Sequence, residues 1–224
     1  MKREYLVRQE DTLPYEKVSH LSITVIGVGA IGSFTTLSLA KMGLENIDVI
    51  DHDVVSDENM NVQFYPLHTI GQPKVDALEE LVKSFTGACI TDYQKRWDSD
   101  DTLGEVVITS LDNMATRKEV FEKAREEGVR CLIDPRMAIE SLMVLSTNPS
   151  DPEQAEWYEK FLYSDEEAIQ ERCTNKAVMY TVLSAAGIVC QMVKDYVSGK
   201  RPTRIVQWDL KSMHATGLDG NFDN

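Results

Sequence analysis

The residues Gly27-Val28-Gly29-Ala30-Ile31-Gly32 lie between a short apolar run and a helical pattern. Glycines at this spacing permit a tight turn, close backbone approach to a phosphate, and close packing of helix on strand. The N–H groups that open such a helix then face an anion. Asp51 stands 24 positions after Gly27, at the end of the next apolar run. A carboxylate there can accept hydrogen bonds from ribose hydroxyls. Together the two features point to an adenine nucleotide without separating NAD from ATP. Asp53, Asn59, Asn61 and Gln63 follow in one stretch. An ordinary turn needs one such side chain, so this is either a solvated loop or a surface for hydroxyls and phosphates. Lys74 sits directly after Pro73 at a helix start, from where it can reach back to phosphates. Asp112 closes the apolar run "EVVITSLD". Ligands of open α/β sheets bind at such strand ends, and a carboxylate there can hold Mg²⁺ against phosphate oxygens. A glycine loop, a ribose acid, a lysine and a magnesium acid suit ATP better than a dinucleotide.

Chemistry of this kind needs a scaffold that gathers strand ends. Strands are expected at 22–26, 46–51, 88–93, 105–112, 129–137, 141–148 and 203–210, with helices following the glycine loop and at 71–85, 113–128 and 174–198. Ile23, Val25 and Ile26 suit a parallel strand buried on both faces. Strands alternating with helices predict an α/β fold with a Rossmann-like, doubly wound, mostly parallel sheet. The chain divides into an N-terminal arm (1–20), a nucleotide-binding core (21–148), and a C-terminal part of the same domain (149–224). That last part comprises an acidic excursion, a long helix, a final strand and a polar tail.

The chain has 224 residues and a formal net charge of −14. That charge argues against nucleic acid or an anionic membrane as the main partner. Ala177 to Val193 carries no charge, but its polar residues favour a buried helix over a membrane span. Cys89, Cys131, Cys173 and Cys190 form no C-x-x-C pair, which disfavours a zinc ribbon. Cys89 and Cys131 lie in apolar runs and are expected to pack as small hydrophobes. No signal peptide is evident ahead of the first strand, so a cytoplasmic location is expected.

The motifs in order resemble the ThiF/MoeB/HesA adenylyltransferases, relatives of the ubiquitin-activating enzymes. The residues that carry the likeness are G-V-G-A-I-G (27–32), D-x-D-x-V (51–55), Asn59, Gln63, I-G-Q-P-K (70–74) and D-N-x-x-x-R (112–117). The resemblance implies an activating-enzyme fold with additional C-terminal antiparallel strands. It also implies that Gly27, Gly29, Ala30 and Gly32 cradle ATP and that Asp51 binds ribose. Asp53, Asn59, Gln63 and Asn113 would frame the nucleotide, Lys74 would bind phosphate, and Asp112 would hold Mg²⁺. The substrate would be the C-terminal carboxylate of a ubiquitin-like or sulfur-carrier protein, activated as an acyl-adenylate. A homodimer is implied too, with an N-terminal arginine reaching the partner's ATP. Arg8 in "YLVRQ" is then either that residue or a solvated surface arginine.

Two departures stand out. The family keeps an arginine just before Gln63, on the ATP phosphates, and this chain has Val62. Either another arginine compensates, with Arg136 the candidate, or catalysis is slow, or the protein docks a partner without activating it. The paired zinc cysteines of many members are also absent. Cys173, between Arg172 and Thr174, sits where thioester-forming members place their cysteine. A helix N-terminus lowers a nearby thiol's pKa, so Cys173 is either an acyl-accepting nucleophile or a bystander. The expected function is ATP-dependent adenylation of a carrier's C-terminus. Its rivals are a partner-docking pseudo-activating subunit and an NAD-dependent oxidoreductase.

Overall fold

The computed structural model describes residues 3–163 and 177–218. Eight strands form one sheet in the order β3-β2-β1-β4-β5-β6-β7-β8. They are β1 (Ser22–Ile26), β2 (Asn46–Asp51), β3 (Thr91–Gln94), β4 (Val106–Thr109), β5 (Cys131–Met137), β6 (Ser141–Thr147), β7 (Ile205–Asp209) and β8 (His214–Leu218). The five strands from β3 to β5 pair in parallel, and β6, β7 and β8 continue the sheet antiparallel. The expected parallel core and antiparallel extension are both present. The order places β1 between β2 and β4, so the chain's direction of travel across the sheet reverses beside β1. Open α/β sheets bind ligands at such a switch point, outside the carboxyl ends of the strands.

Alternation along the strands feeds two cores, one on each face. Ile23 and Val25 pack with α2 (Ala30–Lys41), α3 (Lys74–Thr86) and α6 (Met179–Val197). Ile26, Val107 and Leu132 pack with α4 (Met114–Glu126) and α5 (Pro152–Glu159). Because successive side chains point to opposite faces, strands buried at nearly every position, such as β1 and β4, are central. Helix α3 ends on Gly87 at φ +70, the left-handed conformation that glycine adopts without a Cβ penalty.

Several expectations need correction. Strand β3 begins only at Thr91, and its side chains are exposed. Cys89 precedes it and is exposed, not packed as a small hydrophobe, whereas Cys131 is buried and its thiol is pushed up to about 12 by burial. The tail after β7 is not merely polar: it forms β8, which pairs with β7 across a turn in which Met213 has φ 58. The arm, which ends in the single-turn helix α1 (Tyr15–Val18), packs on the core. Leu6, Leu13 and Val18 are buried, and Gln9 Nε2 donates to the Met42 carbonyl at 2.6 Å. Among the described residues, no helix is long and apolar enough to cross a membrane. The uncharged stretch is instead spent on the core, with Val182, Ala185, Ala186, Val189 and Cys190 of α6 buried.

Candidate functional site

The glycine loop joins β1 to α2 at the switch point. Gly27 has φ +87, and a Cβ there would lie 2.4 Å from the Ser110 carbonyl oxygen. The loop after β4 therefore presses on it, tied by the Ser110 N–H donating to Ile26 O at 2.9 Å. A Cβ on Gly32 would lie 2.0 Å from the Gly27 carbonyl oxygen. These two glycines serve packing. Gly29 differs: a Cβ there would meet nothing nearer than Gln63 Nε2 at 3.9 Å. Gly29 is the N-cap of α2 and offers no side-chain cap, and the first turn carries no acid. The leading N–H groups of an α-helix have no intrahelical partner, so this end is free to receive an anion.

Asp51 ends β2 beside the loop and is 9% exposed. Its Oδ2 accepts from Val28 N at 2.8 Å and its Oδ1 from Asp53 N at 2.8 Å. The carboxylate thus sets the loop's shape while keeping lone pairs for a further donor. Lys74, 6% exposed, donates from Nζ to Asp53 Oδ2 at 2.8 Å. Burial works to raise the Asp53 pKa. The Lys74 hydrogen bond and charge outweigh it and hold the carboxyl below the usual carboxylate range. Asp51, His52 and Asp53 place ligand atoms within 4.8 Å of one another, but Lys74 and the backbone N–H groups already engage both acids.

The amide-rich stretch wraps over this edge. Asn59 is buried, and its Oδ1 accepts from Ser56 N at 2.9 Å in a capping box. Ser33 Oγ of α2 accepts from Phe64 N at 3.1 Å. Tyr65, a residue that sequence reasoning missed, donates its hydroxyl to Val28 O at 2.6 Å. Burial, then the charges of Asp51 and Asp53, push that phenol well above its usual pKa, so it stays a donor. No pattern marks Tyr65, because its contact spans 37 residues.

Asp112 follows β4 at the same edge. It is exposed, and among the described residues it forms no ion pair; Asn113 Nδ2 lies 3.4 Å from its Oδ1. Asn113 spends its own side-chain oxygen as N-cap of α4, accepting from Thr116 N at 2.8 Å. Three features fit a nucleotide with its metal: the open face at Gly29, the buried Gln63 Oε1 and Ser110 Oγ, which have no hydrogen-bond partner among the described residues, and the exposed Asp112 carboxylate.

Val62 packs on the cluster of Phe34, Val182 and Ala186, which Ala30, Phe64, Met137 and Met179 also cover, so an apolar wall stands where a phosphate-binding arginine is expected. Arg136 does not fill the gap. Its guanidinium is bound to Asp134 Oδ2 at 2.6 Å and to Phe161 O at 2.9 Å. Arg8 is exposed on the arm, which docks at the Met42–Gly43 end of α2. With 12 residues in α2, that end lies roughly 18 Å from the glycine loop. Arg172, Cys173, Thr174 and Lys176 lie outside the described residues. A separate cavity of about 260 Å³, lined in part by Arg130, Tyr196 and Lys200, opens at the opposite edge of the sheet, where β5 begins.

Known proteins share parts of this sequence and its fold. The tRNA threonylcarbamoyladenosine dehydratase 2 of Saccharomyces cerevisiae is 29% identical over 133 residues, 55% of this chain and 29% of that protein. The ubiquitin-like modifier-activating enzyme 5 of Xenopus laevis is 36% identical over 70 residues, 31% of this chain and 18% of that protein. The chain therefore spans less than a third of the length of these two relatives. Among solved structures, E. coli MccB with ATP shares the fold, with a TM-score of 0.79 at 13% identity over 98% of this chain and 72% of that one. The ThiF family profile matches residues 2–220, and the chain belongs to the ThiF family.

Proposed function

We propose that the protein is an ATP-dependent adenylyltransferase acting on the C-terminal carboxylate of a small ubiquitin-like or sulfur-carrier protein. The observation that carries this is the convergence of the Gly29 cradle, Asp51, the Lys74–Asp53 pair and Asp112 at one switch point. In the reaction a carboxylate oxygen bonds to the α-phosphorus. The bond from that phosphorus to the bridging oxygen breaks, and pyrophosphate leaves with the electron pair. This chain's part is placement and charge. Asp51 accepts from ribose hydroxyls, and the N–H groups of α2 receive phosphate oxygens. Lys74, which has donors to spare beyond Asp53, turns one to the phosphates. Asp112 would hold Mg²⁺, which neutralises charge on the phosphate oxygens when bound.

Arg8 cannot serve its own site from the far end of α2. Its family role therefore calls for a second copy, docked through the arm and the face of α6 that exposes Tyr180 and Leu183. A second reading, partner docking without activation, is favoured by one observation: neither Val62 nor Arg136 offers a free cation. A tRNA substrate, suggested by the dehydratase relative, is disfavoured by the net charge of −14.

The test is ATP–pyrophosphate exchange with candidate carrier proteins and with tRNA, alongside calorimetry of Mg–ATP binding. Exchange that depends on a carrier supports adenylation. Bound ATP with no exchange on any carrier would leave the docking reading standing.

A further inference from the structure

Arg117 is the arginine of D-N-x-x-x-R. Arg117 lies on α4, is 6% exposed, and turns back under the β4 edge. Nη1 donates to Thr109 O at 3.0 Å, and Nη2 donates to Leu111 O. Its charge is paired with Asp134, itself fully buried, which also accepts from Arg136 and from the Tyr158 hydroxyl at 2.8 Å. Burial first, then Arg136, lowers the Arg117 pKa to about 10, so it remains a cation. One guanidinium therefore gathers the two carbonyls flanking Ser110. Ser110 is the residue against Gly27, and Asp112 is the next residue after Leu111.

We propose that Arg117 is the positioning residue for Asp112: it fixes the Thr109–Leu111 backbone so that the carboxylate projects into the crevice in a metal-binding pose. Both carbonyls are held inward, toward α4, and Asp112, one residue further on, is exposed. A buried carbonyl left without its donor would be costly, so the loop has one arrangement while Arg117 is present. The planar fork makes both carbonyl contacts and the Asp134 pair in one fixed geometry, which the compact point charge of a lysine does not reproduce. Asp134 pairs with the fork from behind, and Arg136 and the Tyr158 hydroxyl hold Asp134 in turn.

The inference rests on the assignment of Asp112 to the metal, and the experiment separates the two. ATP affinity is measured by calorimetry across a Mg²⁺ titration for the full chain and for R117K, D112N and D134N, with thermal melting to confirm folding. R117K is expected to raise half-saturating Mg²⁺ roughly 10- to 100-fold, the usual effect of losing a group that orients a metal ligand. Its metal-free ATP affinity should stay at the parent value. D112N should shift the same quantity at least as far. If D112N leaves the Mg²⁺ dependence unchanged, the Asp112 assignment falls. If D112N moves it and a folded R117K does not, the role given to Arg117 is overturned. Should R117K fail to fold, D134N loosens the fork from behind. An unchanged Mg²⁺ dependence in D134N overturns the proposal, and an increase of several-fold supports it.

Discussion

Replacing Gly29 and Gly32 singly with alanine separates a glycine used for ligand approach from one used for packing. At Gly29 the new Cβ is 3.9 Å from its nearest neighbour, Gln63 Nε2, so stability should move by under about 1 kcal/mol, as for substitutions that remove no contact. The methyl would occupy the space over the α2 N-terminus where a phosphate must sit. Pushing the phosphate off one backbone N–H forfeits a charge-assisted hydrogen bond of about 1.5–3 kcal/mol, or roughly a ten- to hundred-fold loss in affinity. At Gly32 the Cβ would be 2.0 Å from the Gly27 carbonyl oxygen. Backbone cannot yield as a flexible side chain does, and the cost should reach roughly 3 kcal/mol or more. Thermal melting and calorimetric titration with Mg–ATP read both effects. Gly29→Ala should keep its melting temperature and lose ATP affinity, whereas Gly32→Ala should lose melting temperature first. A Gly29→Ala protein that binds ATP as tightly as the parent would refute the phosphate cradle.

Asp112→Ala should abolish ATP–pyrophosphate exchange while leaving the melting curve in place; retained exchange would remove Asp112 from the chemistry. Val62→Arg, by restoring a cation beside the phosphates, should raise exchange by up to about 10²-fold, and a fall in exchange with intact ATP binding would mean the apolar wall is itself needed. The folded-state pKa of Asp53 lies below its unfolded value, so its pairing with Lys74 stabilises the fold above that unfolded value. The contribution is lost as pH falls through the lower, folded value. Asp53→Asn should therefore flatten the stability–pH curve below about pH 4, modestly because the side chain is 49% exposed, and denaturant midpoints across that range check it. Cys173→Ala should keep pyrophosphate exchange and lose any reducible protein adduct; an adduct that persists on non-reducing gels makes Cys173 a bystander.

Read from the sequence alone, the parallel core, the glycine loop and the acids at strand ends are all legible. Each is a local pattern, a period of two or 3.6 or a turn that only glycine makes. Asp51 and Lys74 are legible as candidates because they stand at a strand end and a helix start, and Asp112 because it follows an apolar strand closely. What stayed hidden is contact between distant segments. Nothing near Tyr65 announces its bond to Val28 O, and nothing near Arg117 announces that it holds both carbonyls around Ser110. Strand β8 hid because an exposed edge strand needs no apolar alternation. Cys89 misled because apolar neighbours in sequence are not neighbours in space. The order of residues determines which elements form and which chemistry they can carry. Only the tertiary structure decides which cations are already spent. Arg136 stands at the correct sheet edge, but its guanidinium is bound to Asp134, a fully buried carboxylate that must be paired and that gathers both Arg117 and Arg136.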